Sequence, residues 1–200
     1  MRTAASAPSK RAADFQWRPP DRRHRRRVAD IAMATGAFRP DEIEVALEVF
    51  DDFCAAPGVD YRALAAFADG AMAGFAFYGP TPCTVDTWDL YWIVVHPDFH
   101  RSGVGRGLIE RVERDMQNRG ARMCVIETSS RDDYSASRRF YDACGYKEVA
   151  RVPDFYDERD DRVTYTKLFV GVPSPRVSAR GEDEGRGEDV RGTALRNSNS

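Results

Sequence analysis

Trp92-Ile93-Val94-Val95-His96-Pro97-Asp98-Phe99-His100-Arg101-Ser102-Gly103-Val104-Gly105-Arg106-Gly107-Leu108 is the stretch on which the fold of this chain turns. Residues 88–95 are apolar after Asp89 and are closed by Pro97, which reads as a buried central strand. The strand leads into a turn with three alternate glycines, Gly103, Gly105 and Gly107. Val104, Leu108, Val112 and Met116 then recur every fourth residue, so the turn opens a helix that stops at Gly120. The first turn of a helix carries unpaired N–H groups and the positive end of the dipole. Glycines let an anion approach those groups with no Cβ in the way. Arg101 and Arg106 add charged donors. The unit therefore suits a pyrophosphate; an ordinary connection with solvated arginines is the alternative reading.

Outward from this unit the pattern is mixed. Residues 22–35 and 40–53 are expected to be helices, the second with Pro40 just inside its start and Ile43, Ala46, Leu47 and Phe50 on one face. Residues 60–66 and 71–78 read as a hairpin across Asp69-Gly70. Residues 123–126 form a second buried strand, 135–144 a short helix stopped by Gly145, and 147–152 and 162–169 the final strands.

The chain has 200 residues, 30 of them basic and 32 acidic, for a net charge of −2. That balance predicts no general affinity for nucleic acid. No apolar run is long enough for a membrane helix. Cys54, Cys83, Cys124 and Cys144 contain no CxxC pair and suit a reducing cytoplasm. There is no HExxH, His/Cys cluster or GxSxG, so no metal site is expected and serine-hydrolase chemistry has no support. Residues 1–14 read as a disordered leader, 15–172 as one folded domain and 173–200 as a disordered polar tail. Arg22, Arg23, Arg25, Arg26 and Arg27 form a basic cluster read as a solvated helix face, with phosphate or nucleic-acid binding as the alternative.

A dinucleotide loop would need its third glycine at position 108, which is Leu108, and six residues separate the strand from Gly103. A Walker loop fails because Gly105 is followed by Arg106-Gly107. The run His100 to Gly107 instead resembles the [QR]xxGxG[AG] acetyl-coenzyme-A signature of the GNAT acyltransferase superfamily, with His100 in the Gln/Arg position. Phe140-Tyr141-Asp142-Ala143-Cys144-Gly145-Tyr146 resembles the later [FL]-Y-E-x-x-G-[FY] element of the same superfamily. Tyr134, seven residues before Tyr141, stands where many members carry Asn, so no coenzyme A contact is carried over there. The resemblance spans about residues 20–170.

The resemblance implies an α/β (α+β) fold: a mixed, mostly antiparallel central sheet flanked by helices. It implies an N-acetyltransferase that moves the acetyl group of acetyl-CoA to a primary amine of a small molecule or peptide, in a ternary complex without an acyl-enzyme. The strand before the glycine turn should splay from the strand after the helix, with pantetheine held by the backbone of Ile93, Val94 and Val95. The pyrophosphate then falls to His100, Arg101, Ser102, Gly103, Val104, Gly105, Arg106 and Gly107. Tyr141 is the candidate general acid. Asp89, eleven residues before His100, takes the place of the Glu base of histone-type members, and Glu127 is the second choice. Strand alternation puts Asp89, Tyr91, Ile93 and Val95 on one face. Trp88, Tyr91, Trp92, Tyr134 and Tyr156 are candidates to wall the acceptor site, and the acidic stretch 152–162 could attract a cationic amine. A homodimer is a candidate assembly. The competing readings are a non-catalytic acyl-CoA-binding regulatory module and, less favoured, a nucleotide-binding enzyme.

Overall fold

The computed structural model describes residues 15–169. The segments 1–14 and 173–200, expected to be disordered, lie outside the described residues. Strands β1 (Gln16–Arg18), β2 (Arg62–Ala68), β3 (Ala71–Pro80), β4 (Thr87–Val95), β5 (Met123–Ser129), β6 (Lys147–Asp157) and β7 (Asp160–Leu168) form one sheet. Their order is β1-β2-β3-β4-β5-β7-β6, and every pair is antiparallel except β4 with β5. Helices α1 (Arg25–Thr35) and α2 (Pro40–Ala55) cover one face, while α3 (Val104–Asn118) and α4 (Ser135–Ala143) cover the other.

Local chemistry sets the element boundaries. Asp69 and Gly70 both adopt positive φ (49° and 81°), the two left-handed residues that a tight hairpin between β2 and β3 requires. Pro40 opens α2, where its missing N–H leaves no bond unmade. On α3 the fully buried Val104, Leu108 and Met116 share a core with Ile126, Val163 and Tyr165 of the sheet. Val28, Ile31 and Phe50 form the opposite core with Phe67, Phe75 and Phe77.

Two expectations are corrected, and one strand, β1, had no counterpart among them. Residues 22–24 form a 3-10 turn, not the start of α1, because the Asp21 carboxylate takes the Arg23 N–H at 3.0 Å and the His24 ring takes the Asp21 N–H at 3.1 Å. The three-residue β1 is too short to show any period. The second correction concerns β4: Phe77 lies opposite Trp92 but Tyr78 lies opposite Leu90, so Tyr91 is an extra residue in a β-bulge. Before the bulge Trp88 and Leu90 pack on the α3 face; after it Ile93 and Val95 do, while Val94 and Trp92 pack on the α1–α2 face. Asp89 and Ile93 therefore do not share a face. Asp89 points toward the α1–α2 side, and Ile93 and Val95 toward the α3 side.

Candidate active site

Strand β4 also loses one of its neighbours. It pairs with β5 at three rungs only: Thr87 with Met123, Trp88 with Cys124, and Asp89 with Val125. Beyond Asp89, β4 stays on β3 as far as Val95, and β5 stays on β7 as far as Ser129. The two strands thus open a wedge whose vertex is the Asp89–Val125 rung. His96 N–H donates to Ala73 O at 2.9 Å, and antiparallel bonding alternates sides along a strand. That parity turns Val94 toward β3 and presents the backbone groups of Ile93 and Val95 to the wedge. Val94 is accordingly corrected: its N–H and C=O serve the β3 ladder. The carbonyl of Val95 is within 2.9 Å of His100 Nε2, so its N–H is the group that opens onto the wedge.

The glycine turn closes the wide end, and its three glycines are there for three different reasons. Gly103 caps α3 at φ 91°, with open space around a would-be Cβ, so its backbone angle requires it. A Cβ on Gly105 would lie 3.5 Å from Phe140 and 3.7 Å from Val95, inside the wedge. A Cβ on Gly107 would overlap the Trp17 ring, which stacks under the Arg111 guanidinium at 4.0 Å. Gly107 is therefore a packing residue, and its N–H is already given to Gly103 O at 2.8 Å. That bond is the first of the helix, so the N–H groups of Val104, Gly105 and Arg106 point outward at the positive dipole end. This cradle fits a pyrophosphate. The side chains fit it less well than expected. Ser102 Oγ donates to Phe99 O at 2.6 Å, and Arg106 reaches Ala143 O at 3.1 Å and Glu110 at 3.3 Å.

Tyr141 lies on α4 beneath β5, with ring contacts to Phe140, Tyr146 and Tyr165 at 5.8, 6.3 and 5.7 Å. Burial raises its hydroxyl well above the ordinary tyrosine range, helped by the neighbouring Cys124, Cys144 and Tyr165. It holds its proton at neutral pH. Asp89, at the vertex, accepts a hydrogen bond from Thr81 Oγ1 at 2.7 Å. Burial raises its carboxyl above the usual range, although the Thr81 and Tyr91 hydroxyls pull it back down. Glu127 lies two residues beyond Val125 on β5, exposed and in an ion pair with Arg162 at 3.5 Å. Cys144 and Cys124 are buried thiols raised by desolvation, Cys124 to about 12, which makes both poor nucleophiles. Among the described residues, no group of His, Cys, Asp or Glu is placed to hold a metal.

A family model described as Acetyltransferase (GNAT) family matches residues 26–146. This chain belongs to that family. A Desulfovibrio desulfuricans GNAT structure is 36% identical with a TM-score of 0.74, covering 77% of this chain and 98% of that one. The ribosomal protein bS18-alanine N-acetyltransferase of Escherichia coli (strain K12) is 31% identical over 94 residues, 47% of this chain. The match spans 60% of the length of that curated relative. A Salmonella typhimurium protein solved with its cofactor acetyl-CoA shares the fold at 18% identity and a TM-score of 0.63, covering 81% of this chain and 98% of that one.

The opposite side of the wedge in this GNAT chain is roofed by residues far apart in sequence. Phe38, between α1 and α2, packs at a tilt against Trp92 at 5.1 Å and edge-to-face against Tyr134 at 6.0 Å. Arg131 holds this turn through Ala37 O at 2.9 Å, and the Tyr134 hydroxyl reaches Glu42 at 3.4 Å. Trp92 and Tyr134 were legible as aromatic candidates; Phe38, Glu42 and Arg131 carry no local signal. The acidic stretch after residue 152 is used structurally. Asp160 takes Ser129 Oγ at 2.5 Å and Ser130 N–H at 3.2 Å, and Asp154 takes Arg159 N–H at 2.6 Å. The arginine cluster is likewise dispersed: Arg23 pairs with Asp21, Arg25 with Asp51, and Arg27 with Met72 O. No helix among the described residues is long and apolar enough to cross a membrane.

Proposed function

We propose that this chain transfers the acetyl group of acetyl-CoA directly to a primary amine, with a peptide amino terminus as the first acceptor class to test. The observation that carries this reading is the wedge: paired backbone up to Asp89–Val125, the Ile93 backbone and the Val95 N–H left without a β5 partner, and free helix N–H groups at its wide end. Acetyl-CoA supplies an activated thioester carbonyl. The cradle of Val104, Gly105 and Arg106 binds its pyrophosphate, and the backbone of Ile93 and Val95 orients its amide arm. Asp89, on the acceptor side, takes a proton from the amine; its raised pKa brings it closer to the optimum for a base near neutrality. Tyr141, on the other side, donates to the charge that develops on sulfur as the C–N bond forms and the C–S bond breaks. A thiol ionises near 8.5 and a phenol near 10, so burial of Tyr141 favours stabilising the thiolate over full transfer. The raised thiols of Cys124 and Cys144 argue against an acyl-enzyme.

The relatives that act on an alanine of a ribosomal protein motivate the peptide acceptor. Four cysteines without a disulfide suit a cytoplasmic location. A homodimer would use the outer strand β6, where Val149 and Phe155 are exposed; sedimentation at two concentrations reads it. The deciding experiment follows thiol release from acetyl-CoA with an Ala-first peptide, free amino acids and small diamines. Acceptor-dependent release supports the reading. Tight acetyl-CoA binding with no release for any amine would favour the non-catalytic module.

A further inference from the structure

A second recess lies at the far end of the molecule from the glycine turn. It has a volume of about 450 Å³ and sits where α3 ends, lined by Arg22, Arg62, Arg119, Asp115 and Tyr78. Along α3, Val104 and Arg119 are roughly 20 Å apart at 1.5 Å per residue, so the recess is not part of the wedge.

Its charges do not balance. Asp115 is satisfied twice over, by the Tyr78 hydroxyl and by Arg119 Nε, both at 2.9 Å. Asp21, also on the wall, is committed to Arg23 at 2.8 Å. Neither Arg22 nor Arg62 makes a close ion pair among the described residues, although Arg62 is near enough for its charge to help lower the Asp115 carboxyl. Arg62 is the more telling of the two. Its Nη2 reaches Gly58 O at 3.2 Å, yet its Nε is buried with no hydrogen-bond partner among the described residues. A buried guanidinium donor left unpaired is costly, and a planar fork of this kind matches carboxylate and phosphate oxygens. Gly58 leaves the room it needs, since a Cβ there would come within 3.1 Å of Arg62 Nη2. The rest of the wall is apolar, with Pro19, Pro20, Phe53 and Pro57.

We propose that this recess binds a small anion carrying one phosphate or carboxylate and a compact apolar body. The anionic group pairs with Arg62 and Arg22, and the body lies on the proline-rich wall. The site is independent of the acetyl-CoA wedge. It nevertheless touches the catalytic strand from behind, since Arg62 lies 5.9 Å from the Trp88 ring, next to Asp89.

The test is calorimetric titration of the full chain with phenyl phosphate and with benzoate, in the presence of saturating coenzyme A so that the glycine turn is filled. Benzyl alcohol is the uncharged control. One-to-one binding of either anion, weakened about tenfold or more in Arg62→Met and in Arg22→Ala but kept in Arg26→Ala, is the expected result, matching the loss of one charged hydrogen bond. Thermal melts confirm that each variant is folded. No binding of either anion, binding equal in all three variants, equal binding of benzyl alcohol, or binding abolished by coenzyme A would each overturn the proposal.

Discussion

The two halves of β4 share one strand and do opposite work. From Thr87 to Asp89 the strand is paired on both sides, and it holds its one acid at the last rung. From Trp92 to Val95 it is paired on one side only, and it presents backbone groups to the wedge. Tyr91, the bulge residue, separates the halves and switches which face each side chain meets. The proposed acid–base pair is thereby split across the sheet, with Asp89 on the α1–α2 side and Tyr141 on the α3 side. Acceptor and thioester can then approach the same vertex from opposite directions.

The largest expected effects break this division at its two poles. Tyr141→Phe keeps the ring contacts and removes the hydroxyl, so kcat should fall about 100-fold with acetyl-CoA affinity unchanged. Steady-state kinetics with parallel calorimetry checks both. Asp89→Asn should lower kcat/KM by about 100-fold near neutrality, and the deficit should shrink as pH rises and the free amine forms unaided. A ratio that stays flat across the pH range would pass the base role to Glu127 or to solvent.

Next come the glycines, which sharpen the comparison within one turn. Gly105→Val should weaken acetyl-CoA about tenfold or more by filling the wedge beside Phe140 and Val95, while the melting temperature holds. Gly107→Ala should do the reverse. Its Cβ collides with Trp17, so stability falls by about 1–3 kcal/mol and acetyl-CoA affinity stays. Denaturant melts and titrations on both variants separate the two roles.

How much of this could be read from residues alone follows from the range of each interaction. The strand–turn–helix unit, the Asp69-Gly70 hairpin and the stop at Gly120 are local, and local chemistry specifies them. The bulge at Tyr91 leaves no trace, because one extra residue in an apolar strand changes no composition, only the register against Phe77 and Tyr78. The same slip falsified the one-face alignment of Asp89 with Ile93. Gly107 looked like a phosphate glycine because Trp17, ninety positions earlier, is invisible in a local reading. The roof of Phe38, Trp92 and Tyr134 and the arginine recess are likewise assembled only by the fold.

The smallest expected effect is a stability shift. Burial raises the folded pKa of Asp89 above its unfolded value, so the folded state holds the proton more tightly. The wild type therefore loses stability as pH rises from the unfolded carboxylate range, near 4, through the folded pKa. Asp89→Asn lacks this loss, and its melting temperature relative to wild type should climb across that window and then level off.

The central claim is that the second half of β4 is the half that receives the acetyl-CoA arm. Backbone amide hydrogen exchange, read residue by residue with and without acetyl-CoA, tests it most directly. Without ligand, Val94 should be protected by β3, while Ile93 and Val95 exchange fast. Acetyl-CoA should slow Ile93 and Val95 and leave Val94 as it was. Protection spread evenly over the three amides, or no change at Ile93 and Val95 at saturating ligand, would contradict the account.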